Sequence, residues 1–309
     1  MKKYALMFPG QGAQYVGMGK SFAENDPDSN QIYLKASRNL GIDIKHLCFE
    51  ENDLLNRTEY AQKAIFVTSA SIYEAFQNVV NELPSAVIGF SLGEYSAIFA
   101  SGMICFENML KLIDARSKWM EEASLLHPGG MAALVGGDLL TIQDFTKDVS
   151  AKIGYLQIAN YNSPVQKVLS GSLEAIDYLE QHFTDTGAKR CVRLNVSGAF
   201  HTPFMHDAAI KMREYFRSMK YKTPKIPIVC NAKAIYLDDS NAIENIRLQM
   251  ESPVLFEDSI RFLIKQGIEL FIEIGPGRVL TGLVKKIDCE LETISINDFE
   301  DLKKLEEIL

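Results

Sequence analysis

Gly89-Phe90-Ser91-Leu92-Gly93 constrains this chain more than any other five residues. The apolar triplet Ala86-Val87-Ile88 enters it, and a helical stretch ending near Gly102 leaves it. A serine between two such glycines sits on a sharp strand-to-helix turn, where a Cβ on either side would strike neighbouring backbone. That turn implies an α/β sheet, with the Ser91 hydroxyl lifted clear of it at the positive end of the following helix. The string alone arises by chance often enough that context must decide, since an ordinary βα turn with a capping serine has the same outline.

The flanking sequence supplies that context. A strand over 4–8, a long helix over 58–80, the strand at 86–88 and helices to 102 and over 106–123 alternate as in a parallel α/β domain. The rhythm then changes to strand 131–135, helix 141–151, strand 156–160, a turn at Asn162-Ser163-Pro164, strand 166–170, helix 173–183 and strand 190–195. This is the βαββαβ order of a ferredoxin-like unit. Alternation resumes with helix 202–219, strand 226–231, helix 256–266, strand 269–274, helix 278–287 and strand 293–296. The predicted organisation is therefore a discontinuous larger subdomain, 1–124 with 197–309, carrying an inserted one at 125–196.

Composition narrows the function. The chain has 32 Lys+Arg against 40 Asp+Glu, and a net charge of −8 argues against non-specific nucleic-acid binding. Five scattered cysteines with no CxxC pair offer neither a disulfide framework nor a zinc site and suit a reducing compartment. The apolar start at 4–8 is too short for a signal peptide, and no run approaches the roughly 18 residues of a membrane span. A cytoplasmic protein without a metal is expected. Two glycine-rich stretches fail as cofactor motifs: after Gly10-Gln11-Gly12 the third dinucleotide glycine would fall at Tyr15, and before Gly17-Met18-Gly19-Lys20-Ser21 the first P-loop glycine would fall at Gln14. What remains unusual is polar Gln11 at the C-terminal edge of a strand, where open α/β sheets place their sites.

A serine nucleophile needs a base. Of five histidines, His201 lies in the turn-rich loop 195–203, after the serine in chain order, whereas His206 falls within the next helix. No acid is evidently placed to orient His201, which leaves a backbone carbonyl for that role. Arg116 is a third anomaly: with Met109, Ile113 and Met120 it forms one face of a helix. An arginine in an apolar stripe implies an internal partner, a snorkelling side chain or a clamp for a substrate carboxylate.

Phe8-Pro9-Gly10-Gln11-Gly12-Ala13-Gln14, the Ser91 turn continuing as Gly93-Glu94-Tyr95-Ser96-Ala97, Arg116 with Met120, Gly198-Ala199-Phe200-His201, Gln249 and Gly275-Pro276-Gly277 occur in one order. In this the chain resembles the malonyl-CoA:acyl carrier protein transacylases over nearly its whole length. The resemblance implies an α/β-hydrolase-like subdomain with a ferredoxin-like insertion. It implies Ser91 as nucleophile, His201 as base and then acid, and the Gln11 side chain and Leu92 N–H as oxyanion hole. Arg116 would hold the malonyl carboxylate beside Met120, Phe200 would favour malonyl over methylmalonyl, and the Gln249 carbonyl would orient His201. No cofactor is implied; the partners are malonyl-CoA and an acyl carrier protein. Phe90, Ser117 and Lys63 depart from the family's usual histidine, glycine and proline.

Fatty acid synthesis is the expected setting. A stand-alone acyltransferase of a polyketide synthase is the alternative, and an acyl-thioester hydrolase or a non-catalytic docking module are the rivals. Because carrier proteins of this kind are acidic, an acidic enzyme needs a local basic patch, for which Lys189, Arg190, Arg193, Lys285 and Lys286 are candidates.

Overall fold

Every side chain of Tyr4–Phe8 is apolar and buried, which suits a strand inside a parallel sheet covered on both faces. The computed structural model describes residues 2–238 and 240–306, and in it this strand is indeed internal. The elements run β1 (Tyr4–Phe8), α1 (Lys20–Asn25), α2 (Pro27–Leu40), α3 (Ile44–Phe49), α4 (Thr58–Val79), β2 (Ala86–Gly89), α5 (Leu92–Ala100) and α6 (Phe106–Leu126). Next come β3 (Gly129–Gly136), α7 (Leu139–Lys152), β4 (Leu156–Ser163), β5 (Gln166–Ser172), α8 (Leu173–His182) and β6 (Ala188–Arg193). The chain continues through α9 (His206–Ser218), β7 (Ile228–Val229), β8 (Tyr236–Leu237), α10 (Ala242–Glu251), α11 (Phe256–Lys265), β9 (Leu270–Ile274), α12 (Val279–Ile287), β10 (Glu292–Ile296) and α13 (Phe299–Glu306).

The larger sheet has the order β10-β9-β1-β2-β7-β8 and is parallel except for the short β7–β8 pair. Side chains of β1 alternate between its two faces. Tyr4, Leu6 and Phe8 join the core built with α4, α5 and α6, while Ala5 and Met7 join the one built with α11 and α12.

The second sheet is antiparallel, in the order β4-β5-β3-β6. Ala132 and Leu134 of β3 meet α7 and α8 on one face. Met131 and Ala133 face the other way, towards the larger core. This sheet and its two helices lie inside the 125–196 stretch, and its second, third, first, fourth strand order is that of a ferredoxin-like unit. The edge strand β4 is joined to the larger unit: Tyr161 N–H donates to Val254 O at 2.9 Å, and Val254 N–H to Ala159 O at 2.8 Å.

Several elements differ from expectation. β4 runs on to Ser163 because its pairing with β5 continues through Tyr161 with Lys167 to Ser163 with Gln166, so the turn falls at Pro164-Val165. The helix expected from 202 opens as a 3-10 turn at Pro203–Met205, with Thr202 Oγ1 accepting from Phe204 N–H, and α9 begins at His206. The strand expected over 226–231 pairs only at Ile228–Val229. Helices α1, α2, α3, α10 and α13 and strand β8 were not anticipated. Six residues each in α1 and α3 are too few to establish a period.

Candidate active site

The turn at residue 91 has the geometry its glycines imply. Ser91 sits at φ 52°, ψ −107°, a strained conformation. A Cβ on Gly89 would come within 1.8 Å of the Gly93 carbonyl carbon, and one on Gly93 within 1.9 Å of Phe8 O. Only glycine fits at either place. Ser91 is the N-cap of α5, so the Leu92 N–H is the helix's first amide and has no acceptor within the helix.

His201 meets this turn from the other side. Its Nε2 lies 2.8 Å from Ser91 Oγ, and its Nδ1 lies 2.9 Å from the Gln249 backbone carbonyl. Because Nδ1–H must donate to that carbonyl, Nε2 is the free acceptor and Ser91 O–H donates to it. His201 is itself left-handed, at φ 60°. Burial, and then the charge of Arg116, pushes its pKa down to about 4, so the ring is neutral and ready to take a proton at pH 7.

Arg116 is 1% exposed, which rules out snorkelling. Among the described residues no carboxylate lies within ion-pair distance of it. Its partners are neutral: NH1 donates to Gln62 Oε1 at 2.6 Å and NH2 to Gln249 Oε1 at 3.3 Å, and the guanidinium stacks over Tyr95, 4.9 Å from the ring centroid. Its Nε–H has no acceptor. A buried cation held by neutral groups and with a donor to spare is prepared for an anion. Glu94, also fully buried, makes no ion pair with it, and burial pushes the carboxyl up to about 8, towards the neutral form.

One cavity of about 210 Å³ between the two sheets is lined by Gln11, Ser91, Leu92, Arg116, Met120, Phe200 and His201, bringing together seven of the eight expected site residues. Gln249 stands directly behind them. The Gln11 amide donates to Thr58 Oγ1 at 3.0 Å and retains a second N–H. Met120 Sδ accepts from Gln62 Nε2 at 3.4 Å. His206 is exposed against Glu251 and takes no part in the cavity. Of the three departures, Phe90 lines the cavity and packs edge-on against Phe256. Lys63 is buried between Glu59 and Asp114, and Ser117 Oγ donates to the Asp114 carbonyl.

The five basic candidates do not form one patch. Lys189, Arg190 and Arg193 lie on the β6 edge of the small sheet, whereas α12, with Lys285 and Lys286, packs against β4 at the opposite edge. Arg193 is already paired with Asp177 and Glu180, at 2.6 and 2.8 Å.

Three contributors were not foreseen. Gln62 supports Arg116. Asn231 Oδ1 accepts from Ser91 N–H at 2.7 Å while its Nδ2 donates to Gly89 O at 2.6 Å, bracing the turn. The side chain of Gln249, beyond its backbone, donates to Ser91 O at 2.6 Å. Asn231 carried the signal that singled out Gln11, a polar residue just past the C-terminal end of a parallel strand. Gln62 carried that of Arg116, a polar residue on a buried helix.

The acyl transferase domain family model matches residues 5–294. The chain is 37% identical over 305 residues to the malonyl CoA-acyl carrier protein transacylase of Bacillus subtilis, covering 98% of this chain and 96% of the relative. It superposes on a crystal structure of the Streptococcus pneumoniae enzyme of that type with a TM-score of 0.93 and 38% identity, over 99% of this chain and all of the other. A malonyl transacylase solved in complex with its type II polyketide acyl carrier protein matches with a TM-score of 0.95 and 33% identity over the full length of both chains. The chain therefore belongs to the acyltransferase family, among the malonyl-CoA:acyl carrier protein transacylases.

Proposed function

We propose that the protein moves a malonyl group from malonyl-CoA to the phosphopantetheine thiol of an acyl carrier protein through an ester on Ser91. The observation that carries this reading is the buried, anion-free Arg116 in the same cavity as the Ser91–His201 pair. Thioester hydrolysis needs the pair but no carboxylate clamp, so Arg116 favours malonyl transfer over a plain hydrolase.

His201 Nε2 accepts the Ser91 proton as Oγ attacks the thioester carbonyl. The oxyanion is stabilised by the Leu92 N–H and the spare N–H of Gln11. Collapse breaks the C–S bond, the imidazolium returns its proton to the departing thiolate, and CoA leaves. The carrier thiol then gives its proton to His201 and attacks the ester. The second tetrahedral intermediate expels Ser91, which regains the proton. Each proton has a residue assigned to it, and no cofactor enters. Arg116 holds the distal carboxylate through both halves, with Met120 and Phe200 limiting the space around the malonyl α-carbon.

The two-subdomain division, 1–124 with 197–309 against 125–196, belongs to this reading, with the substrate entering between them. So does a cytoplasmic setting, which five scattered thiols support; no described helix is long and apolar enough to cross a membrane. The same chemistry serves fatty acid synthesis and polyketide assembly. Intact-protein mass spectrometry after mixing with malonyl-CoA tests the proposal: a malonyl adduct forms, is absent from Ser91→Ala, and is discharged by holo carrier protein. Failure to form it, or discharge to water as fast as to the carrier, refutes the reading.

A further inference from the structure

His201 holds a left-handed backbone that a non-glycine residue adopts only when its surroundings enforce it. The Gln249 carbonyl fixes the ring, but the peptide that follows needs its own restraint. That restraint comes from the small sheet: Gln157 Nε2, on β4, donates to the His201 backbone carbonyl at 2.6 Å. The Tyr155 hydroxyl donates to Gln157 Oε1, fixing which end of the amide faces His201. Tyr155 is in turn packed against Phe204, two residues past the 201–202 peptide. The strand carrying Gln157 is the one bonded to Val254, so its position relative to the larger unit is set by backbone as well.

Resting on the assignment of His201 as base, we infer that Gln157, oriented by Tyr155, is a positioning residue that holds the His201 peptide in its left-handed state and so aims Nε2 at Ser91. It touches neither substrate nor reacting atoms. Without its N–H the 201–202 peptide is free to rotate about the Cα–C bond, the strained backbone at 201 relaxes, and the ring swings off the serine hydroxyl. Alignment of the base thereby depends on the small subdomain as well as on the larger one that carries the serine and the histidine.

The test is single-turnover malonylation of Ser91, followed by rapid-quench mass spectrometry, together with steady-state kcat and KM. Gln157→Ala is expected to acylate about tenfold more slowly with KM for malonyl-CoA within twofold of the parent. Gln157→Glu matches the shape but presents a carboxylate to the carbonyl, and is expected to be slower than Gln157→Ala. Tyr155→Phe is expected to fall between the parent and Gln157→Ala. A role confined to stability would not order the four rates in this way at constant KM. Should Gln157→Ala fail to fold, the isosteric Gln157→Glu and Tyr155→Phe carry the test. Rates within twofold of the parent for the folded variants, or a change in KM with kcat preserved, overturn the inference. His201→Ala run alongside separates the two claims: if it acylates at the parental rate the base assignment falls, and if it is inactive while Gln157→Ala acylates within twofold of the parent, only the positioning role does.

Discussion

Replacing Arg116 with methionine separates what this residue does for the substrate from what it does for the fold. In the parent, a malonyl carboxylate entering the cavity exchanges water for a guanidinium already held by Gln62 and Gln249. In Arg116→Met the same carboxylate would be buried without a partner. Removing one member of a buried pair costs about 3–5 kcal/mol, which at about 1.36 kcal/mol per decade lowers kcat/KM for malonyl-CoA roughly 10²- to 10⁴-fold. The free protein behaves oppositely. It loses an unneutralised buried cation, a relief, and leaves Gln62 Oε1 without that donor, a cost of about 1–3 kcal/mol; the two offset, and the melting temperature should move by only a few degrees. Acetyl transfer should be retained or improved. Burial and the Arg116 charge together hold His201 near 4, and removing the charge lets its pKa rise, so the acid limb of the acetyl-CoA profile should move to higher pH. The assay is kcat/KM for malonyl-CoA and acetyl-CoA from pH 4 to 8, with a thermal melt of each variant. Malonyl transfer surviving within tenfold would refute the clamp, and an unmoved acid limb would refute the electrostatic coupling.

Gln249→Ala keeps the backbone carbonyl that orients His201 but releases Ser91 O and one arm of Arg116; at about 1–3 kcal/mol for buried groups left unpaired, malonyl transfer should fall ten- to hundredfold in a steady-state assay. Glu94 is raised from 4.5 to about 8 by burial, so between those values the folded carboxyl keeps a proton that the unfolded one has lost, and stability from this group falls as pH rises. Glu94→Gln should remove that component, visible in denaturant titrations at pH 5 and 8 as a smaller loss than the parent suffers. Gly93→Ala drives a Cβ to 1.9 Å from the Phe8 carbonyl, a contact with backbone on both sides, and should fail to accumulate as folded protein; a soluble variant with parental melting temperature would contradict the geometry of the turn.

The alternation of strands and helices was readable wherever an element was long or wholly apolar. β1 matched residue for residue, and α4, β2, α6, α11 and β9 agreed within a few residues. In the stretch from 9 to 57, α1 and α3 are too short, at six residues each, to show a period, whereas α2 carried signals that went unused: Asp26 as N-cap, Pro27 in the first turn and Gly41 at its end. In the site, Ser91, His201 and Arg116 announced themselves by breaking a local pattern. Gln249 did not, since the part that orients His201 is a main-chain carbonyl, common to all residues and invisible in a sequence. Its value comes from α10 ending where it does. Gln157 was silent for a related reason: an ordinary polar, half-buried position on a strand becomes informative only once the strand is seen beside residue 201.

The small sheet ends differently on its two sides. On β4 the outermost strand is covered by the 252–255 segment, whereas on β6 nothing described pairs with the outer row of backbone groups, and Lys189, Arg190 and Arg193 are set along it. An open strand is a template for another chain, and lysine or arginine on it discourages addition because two copies would bring like charges together. Lys189 and Arg190, Arg193 being already paired with Asp177 and Glu180, would therefore disfavour addition of a second copy along this edge. Neutralising them should be felt first as a tendency to aggregate at high concentration, before any change in the chemistry at Ser91.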